Sequence, residues 1–214
     1  MDRLGKIVIV FSLVGVCILY GISLLLNPPF VPLNEVARYE NMLIRTSGAI
    51  TDFRVTESGY VLMTIEGNQT ELLVFVDSAF ENLELLNLSY GDEIEVEGKV
   101  QVYQGDYELV SSGNAIKKVK QGGNVAFVSQ IAAHPEQYEG KRISVVGYVD
   151  DVYTYVFYLC DEPGTYRMRV TLEGDSIAIS ELHEGDKVTA EGVFAYDAKN
   201  LRYELHLLAL KSGE

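Results

Sequence analysis

Three residues in the second half of the chain have types and spacing suited to holding a nucleotide: Tyr158, Arg167 and Arg169. They stand in "TYVFYLC" and "YRMRVTL", two β-branched and aromatic runs around Asp161-Glu-Pro-Gly164. A four-residue loop there pairs Cys160 with Thr165, sets Arg167 opposite Tyr158 and Arg169 opposite Val156, and turns Tyr155, Phe157, Met168 and Val170 inward. The outer side then offers a ring for base stacking beside two guanidiniums for phosphate, which is the chemistry of single-strand binding. Asp161, Glu162, Glu173 and Asp175 flank the patch, so an ordinary solvated strand face has the same composition.

Catalytic chemistry finds little support. Asp150-Asp151 and Asp92-Glu93 are paired carboxylates, but neighbours on a strand point to opposite faces and cannot share a substrate. The histidines are His134, His183 and His206, without metal-ligand spacing. There is no nucleophile elbow and no phosphate loop. The expectation is a non-enzyme with no catalytic residue, no metal, no cofactor and no small-molecule substrate. Cys17 lies in an apolar run and Cys160 in a strand, where a small apolar role is expected. Asn68 and Asn87 head Asn-x-Thr and Asn-x-Ser sequons, candidate glycosylation positions.

Charge narrows the partners. The net charge is -14, and the first 33 residues carry Arg3 and Lys6 against Asp2, so -15 falls on the remainder. That excludes a general polyanion binder. Residues 34–120 hold 15 acids and 7 bases, with Lys117, Lys118 and Lys120 read as linker. A basic protein partner suits such a surface better than nucleic acid does.

Near the start, "IVIVFSLVGVCILYGISLLL" (Ile7 to Leu26) runs twenty residues without a charge. As a helix it covers roughly 30 Å, and no small-x-small cleavage site follows it. This predicts an uncleaved transmembrane signal anchor over 7–26, with residues 1–6 cytoplasmic because Arg3 and Lys6 lie on that side, and everything beyond 27 outside the membrane. Residues 27–33, with three prolines in "NPPFVP", read as a stiff spacer.

The elements that must position the tyrosine and arginines are written twice. "YGDEIEVEGKVQVYQGDYEL" (Tyr90 to Leu109) is answered by "EGDKVTAEGVFAYDAKNLRYEL" (Glu184 to Leu205), and "TSGAITDF" falls on "VVGYVDDV". A helical lead precedes each unit, "PLNEVARYENML" in one and "FVSQIAAHPEQYEGKRI" in the other. In the first unit strands are expected at about Met42 to Val55, Tyr60 to Glu66, Thr70 to Val76, Asp92 to Tyr103 and Tyr107 to Ser111. A helical connection through Phe80, Leu83, Leu85, Leu86 and Leu88 stops at Gly91, and "DSIAISELHEG" stops at Gly185. Gly91 and Gly185 suit a sharp reversal, while Gly48, Gly98, Gly147 and Gly192 suit bent strands. Five strands with a helix between the third and fourth is the order of a small Greek-key barrel. The fold class is therefore mainly β, two tandem five-stranded OB-fold barrels over 34–120 and 121–214, after one transmembrane α-helix.

On these motifs, "SGAITDF…GDEIEVEGKVQVYQGDYELV" and "VSQIAAHPEQYEGKRISVVGYV", the chain resembles tRNA-anticodon-type and related OB-fold domains, including membrane-anchored tandem versions in prokaryotes, particularly archaea. The resemblance covers nearly all of residues 33–210 and implies nucleic-acid binding. A second pattern resembles the membrane-tethered haem chaperones of cytochrome c maturation. Those also have one anchor, one external barrel and a His-x-x-x-Tyr segment, matched here by His134 and Tyr138. The expectation drawn is an extracytoplasmic binding or scaffolding protein for a protein partner. Single-stranded nucleic acid held by the second barrel is the alternative, and a haem-chaperone role through His134 is a lesser one.

Overall fold

The structure, a computed structural model, describes residues 3–25, 27–56, 58–77, 87–162, 164–172 and 182–212. The first five strands are β1 (Leu43–Val55), β2 (Val61–Gly67), β3 (Thr70–Val76), β4 (Glu93–Tyr103) and β5 (Asp106–Lys120). They join in the order β1-β2-β3-β5-β4 and close as a barrel through β1 on β4. The second set is β6 (Val125–Phe127), β7 (Arg142–Val152), β8 (Val156–Cys160), β9 (Arg167–Thr171), β10 (Lys187–Asp197) and β11 (Arg202–Ser212). Strands β7 to β11 repeat the first order, with β10 returning to β7, and β6 lies parallel to β7 as an addition. The protein is thus mainly β, with two closed five-stranded barrels of OB-fold topology.

Alternation explains the barrels. In β2, Val61, Met63 and Ile65 are fully buried while Leu62, Thr64 and Glu66 lie on the outer side. In β8 and β9, Phe157, Leu159, Met168 and Val170 are buried in the same way. The helical leads form a 3-10 turn at Leu33–Tyr39, and α2 (Val128–Ala133) followed by a 3-10 turn at Pro135–Gln137. The expected connection through Phe80, Leu83, Leu85 and Leu86, and most of "DSIAISELHEG", fall outside the described residues. Leu88 is described and buried in the first core.

The repeated Gly-Asp is a joint. The Gly91 amide donates to the Ile50 carbonyl at 2.8 Å, and the Ile50 amide donates to the Asp92 carbonyl at 2.9 Å. Gly185, Val149 and Asp186 make the same two bonds, both at 2.8 Å. Gly91 and Gly185 sit at φ +78 and +90, where a side chain is strained. Each aspartate then accepts the amide three residues before it, Ser89 on Asp92 and His183 on Asp186, both at 2.8 Å. Asp92 is fully buried and also takes the Gly122 amide at 2.8 Å and Lys118 Nζ at 2.6 Å. Further along β4 and β10, a Cβ on Gly98 would stand 2.6 Å from the Val110 carbonyl oxygen, and one on Gly192 would stand 2.3 Å from that of His206. Those two glycines are needed for close approach of the neighbouring strand, as well as for the bend.

Two expectations change here. Lys117, Lys118 and Lys120 are not linker: β5 runs on to Lys120, because Lys117 pairs with Glu95 and Lys120 with Glu93 across the ladder. The proline-bearing stretch does not stand free either. The Arg45 amide donates to Pro29 at 2.9 Å, the Val31 amide donates to Arg45 at 2.8 Å, and Val31 and Leu33 are buried.

The membrane span is corrected as well. Among the described residues no helix is long and apolar enough to cross a membrane. The first helix, α1, is assigned over Arg3–Leu25. The extracytoplasmic placement of the barrels rested on that anchor and falls with it.

Loss of a buried acid that holds three donors costs more than loss of a half-exposed one that holds a single amide. Asp92→Ala is expected to lower stability by about 3 kcal/mol and Asp186→Ala by about 1 kcal/mol. Urea unfolding of the two variants, fitted with a common slope, checks the difference. Equal losses would show that the Asp92 network adds nothing to the turn.

Candidate binding face

The outer face of the second and third strands is where barrels of this topology take chain ligands. In the second barrel that face lies on β8 and β9. The ladder pairs Cys160 with Arg167, Tyr158 with Arg169 and Val156 with Thr171, two residues off the expected register. The turn is longer than four residues because Asp161 closes it: its Oδ1 accepts the Tyr166 amide at 2.7 Å, and its own amide donates to the Tyr166 carbonyl at 3.3 Å. A slip of two preserves the faces, so Tyr158, Arg167 and Arg169 do share the outer side. Tyr155 departs from expectation. It precedes β8 and is exposed, as is Tyr153.

The ladders set Asp150, Tyr158, Arg169 and Glu204 side by side in one row across four strands. The Arg167 guanidinium lies 3.9 Å from the centre of the Tyr158 ring. Its Nε is 2.8 Å from Asp150 Oδ2, and its Nη2 is hydrogen-bonded to Asp151 Oδ2. Asp151, expected to face away from Asp150, instead reaches the same guanidinium, because a bulge in β7, where φ is +35, breaks the alternation of the strand. Arg169 Nη1 donates to Glu204 Oε2 at 2.7 Å, and Arg202 Nε and His206 Nε2 stand 3.7 Å and 3.8 Å from the same carboxylate. Arg167 and Arg169, the two arginines on this face among the described residues, are therefore both paired. A phosphate would have to displace carboxylates already in place.

Sequence reasoning missed Glu204 because it comes from β11, which meets β9 only through the parallel crossover of the barrel. A cleft of about 630 Å³ beside the linker repeats the pattern. Its two cations, Lys118 and Arg142, are held by Asp92 at 2.6 Å and Glu191 at 2.7 Å.

The remaining candidates are spread apart. His134 ends α2, with Nδ1 3.6 Å from Glu136. Tyr138 packs against the second core. Asn68 is exposed in the β2–β3 turn at φ +52, and Asn87 is exposed, with its carbonyl accepting Lys118. Burial, aided by Asp150 and Asp161, holds the Cys160 thiol above its ordinary value of 9.0, which leaves little thiolate for reaction.

The barrels meet along a seam built from both. Phe127, just before α2, stacks on Phe53 of β1 with centroids 5.6 Å apart and meets Tyr90 edge-on at 6.2 Å. Ser129 Oγ donates to the Phe53 carbonyl at 2.9 Å, and Gln130 Nε2 donates to that of Leu88 at 2.8 Å. Lys187 Nζ donates to the Thr51 carbonyl at 2.7 Å between the rings of Tyr90 and Tyr148. Asp52 lies in the same seam, and burial holds its carboxyl above the ordinary 3.8 despite the Phe53 amide, Lys187 and Arg54.

A carboxyl whose folded-state pKa is raised weakens the fold as pH rises. The penalty begins above its unfolded value and is complete above the raised one. Asp52→Asn is therefore expected to raise the melting temperature at neutral pH and to leave it unchanged near about pH 3, read from thermal melts across pH. An equal change at both ends would assign the effect to shape and not to charge.

No family model matches the chain, and no curated protein matches it. Among solved structures it is similar to a chain described as an aspartyl-tRNA synthetase from Leishmania major Friedlin. That likeness has 15% identity and a TM-score of 0.39, and covers 45% of this chain and 21% of that one. It is also similar to the S. pombe Stn1-ten1 complex, at 19% identity and a TM-score of 0.32, over 37% of this chain and 59% of that one.

Proposed function

We propose that the chain is a non-catalytic, two-barrel binding protein whose target is another protein. The observation that supports this most is the saturation of the second barrel's arginines: Arg167 by Asp150 and Asp151, Arg169 by Glu204. Single-strand binding rests on cations that can exchange counterions for phosphates. Here protein carboxylates have taken that place at fixed geometry, in a chain of net charge -14. The carboxylates left over at the loops and rims favour a basic surface.

Nucleic acid is the second reading, and one observation favours it. The Arg167 guanidinium lies over the Tyr158 ring, 3.9 Å from its centre, with Tyr153 and Tyr155 exposed in the loop before β8. Fluorescence anisotropy with a labelled single-stranded oligonucleotide separates the two. The expected result is no binding by the native chain at low salt, and weak, salt-sensitive binding once Asp150→Asn and Asp151→Asn release Arg167. Native binding that falls steeply with salt and disappears in Arg167→Glu would replace the protein-partner reading with the nucleic-acid one.

A further inference from the structure

The same outer face of the first barrel has a different chemistry, set by its cross-strand pairs. Leu62 lies opposite Phe75, Thr64 opposite Leu73 and Glu66 opposite Glu71. Tyr60 extends the apolar end, its ring 5.4 Å from that of Phe75 and itself exposed. One end of the β2–β3 face is thus aromatic and aliphatic. At the other end two exposed carboxylates stand directly opposite each other, an arrangement that weakens a sheet unless something of opposite charge relieves it.

The negative potential at that end extends to the seam. The hydroxyl of Tyr148, across in the second barrel, has its pKa pushed up to about 12 by burial first and then by Asp52, Glu162 and Glu71. Two cations of the seam are engaged elsewhere: Lys187 Nζ is held on the Thr51 carbonyl at 2.7 Å and Arg54 Nη1 on the Glu162 carbonyl at 3.0 Å. Glu66 and Glu71 receive neither.

We infer that the outer face of β2 and β3 is a docking surface for an extended segment of a partner protein, with an apolar side chain seated at Tyr60, Leu62 and Phe75 and a lysine or arginine at Glu66 and Glu71. From Leu62 to Glu66 is four residues of strand, about 13 Å. A partner lying along the strands therefore carries its apolar and basic residues about four positions apart. The two barrels then differ in use: the second face is neutralised within the fold, whereas the first leaves its acids for the partner. This inference rests on the protein-partner reading and adds to it the surface and the chemistry of the target.

The test uses the full chain and a labelled synthetic peptide with leucine and phenylalanine followed four residues later by two lysines, with binding read by anisotropy. Native chain is expected to bind, Glu71→Lys to bind at least about tenfold more weakly, and Glu184→Lys, an equal charge change elsewhere, to bind as the native chain does. Tyr60→Ala, on the solvent side where folding is not at stake, is expected to weaken binding several-fold without altering its salt dependence. Equal weakening by Glu71→Lys and Glu184→Lys would make the attraction a general effect of net charge and overturn this surface, leaving the protein-partner reading in place. Absence of peptide binding at low salt also overturns the surface. The protein-partner reading falls separately, on native oligonucleotide binding.

Discussion

The structure depends on each barrel closing on itself through one corner. A long first strand can pair with both the second and the fourth only if it is gripped where it passes from one partner to the other. Gly91-Asp92 and Gly185-Asp186 supply that grip, each giving and receiving a backbone hydrogen bond with the first strand, on Ile50 and Val149. A positive φ permits the reversal, and the aspartate side chain ties the turn to itself. Without the corner, neither the inward alternation nor the outer face of either barrel would be defined.

The first corner does more than the second. Asp92 collects Ser89, Gly122 and Lys118, so the turn, the linker and the end of β5 share one buried carboxylate. From there the chain enters β6, and Phe127 inserts into the core of the first barrel while opening the second. The aromatic contacts with Phe53 and Tyr90, an arrangement worth about 1 kcal/mol per pair beyond area burial, and the paired bonds of Ser129 and Gln130 then hold the barrels together. Asp92 serves as an anchor within the fold and is not available to a ligand.

Charge is the second organising fact. An acidic chain with arginines on a strand face must either leave them free for an anion or neutralise them itself. Here Asp150, Asp151 and Glu204 do the latter, and His206 and Arg202 join the same cluster. The first barrel leaves Glu66 and Glu71 facing each other instead. Two copies of one topology therefore present opposite electrostatic solutions on equivalent faces, which is how one architecture can carry different binding chemistry.

The doubled phrase, the alternation of apolar residues and the positions of Gly91, Gly185, Gly98 and Gly192 were legible in the sequence, because turn chemistry and strand period are local properties of the chain. The shared outer side of Tyr158, Arg167 and Arg169 was legible too, since an even slip in register leaves faces unchanged. What neutralises those arginines was not. Glu204 lies in another strand, and its place beside Arg169 exists only because β11 runs parallel to β9 in a closed barrel. The long apolar run near the start pointed to a membrane, and hydropathy along a chain gave no means of checking that against the described helix. Local sequence determined which segments became strands, where they turned and which side faced in; long-range pairing decided which charges met. That division follows from the physics, since backbone and turn preferences act between near neighbours whereas ion pairs form between whatever the closed sheet brings within reach.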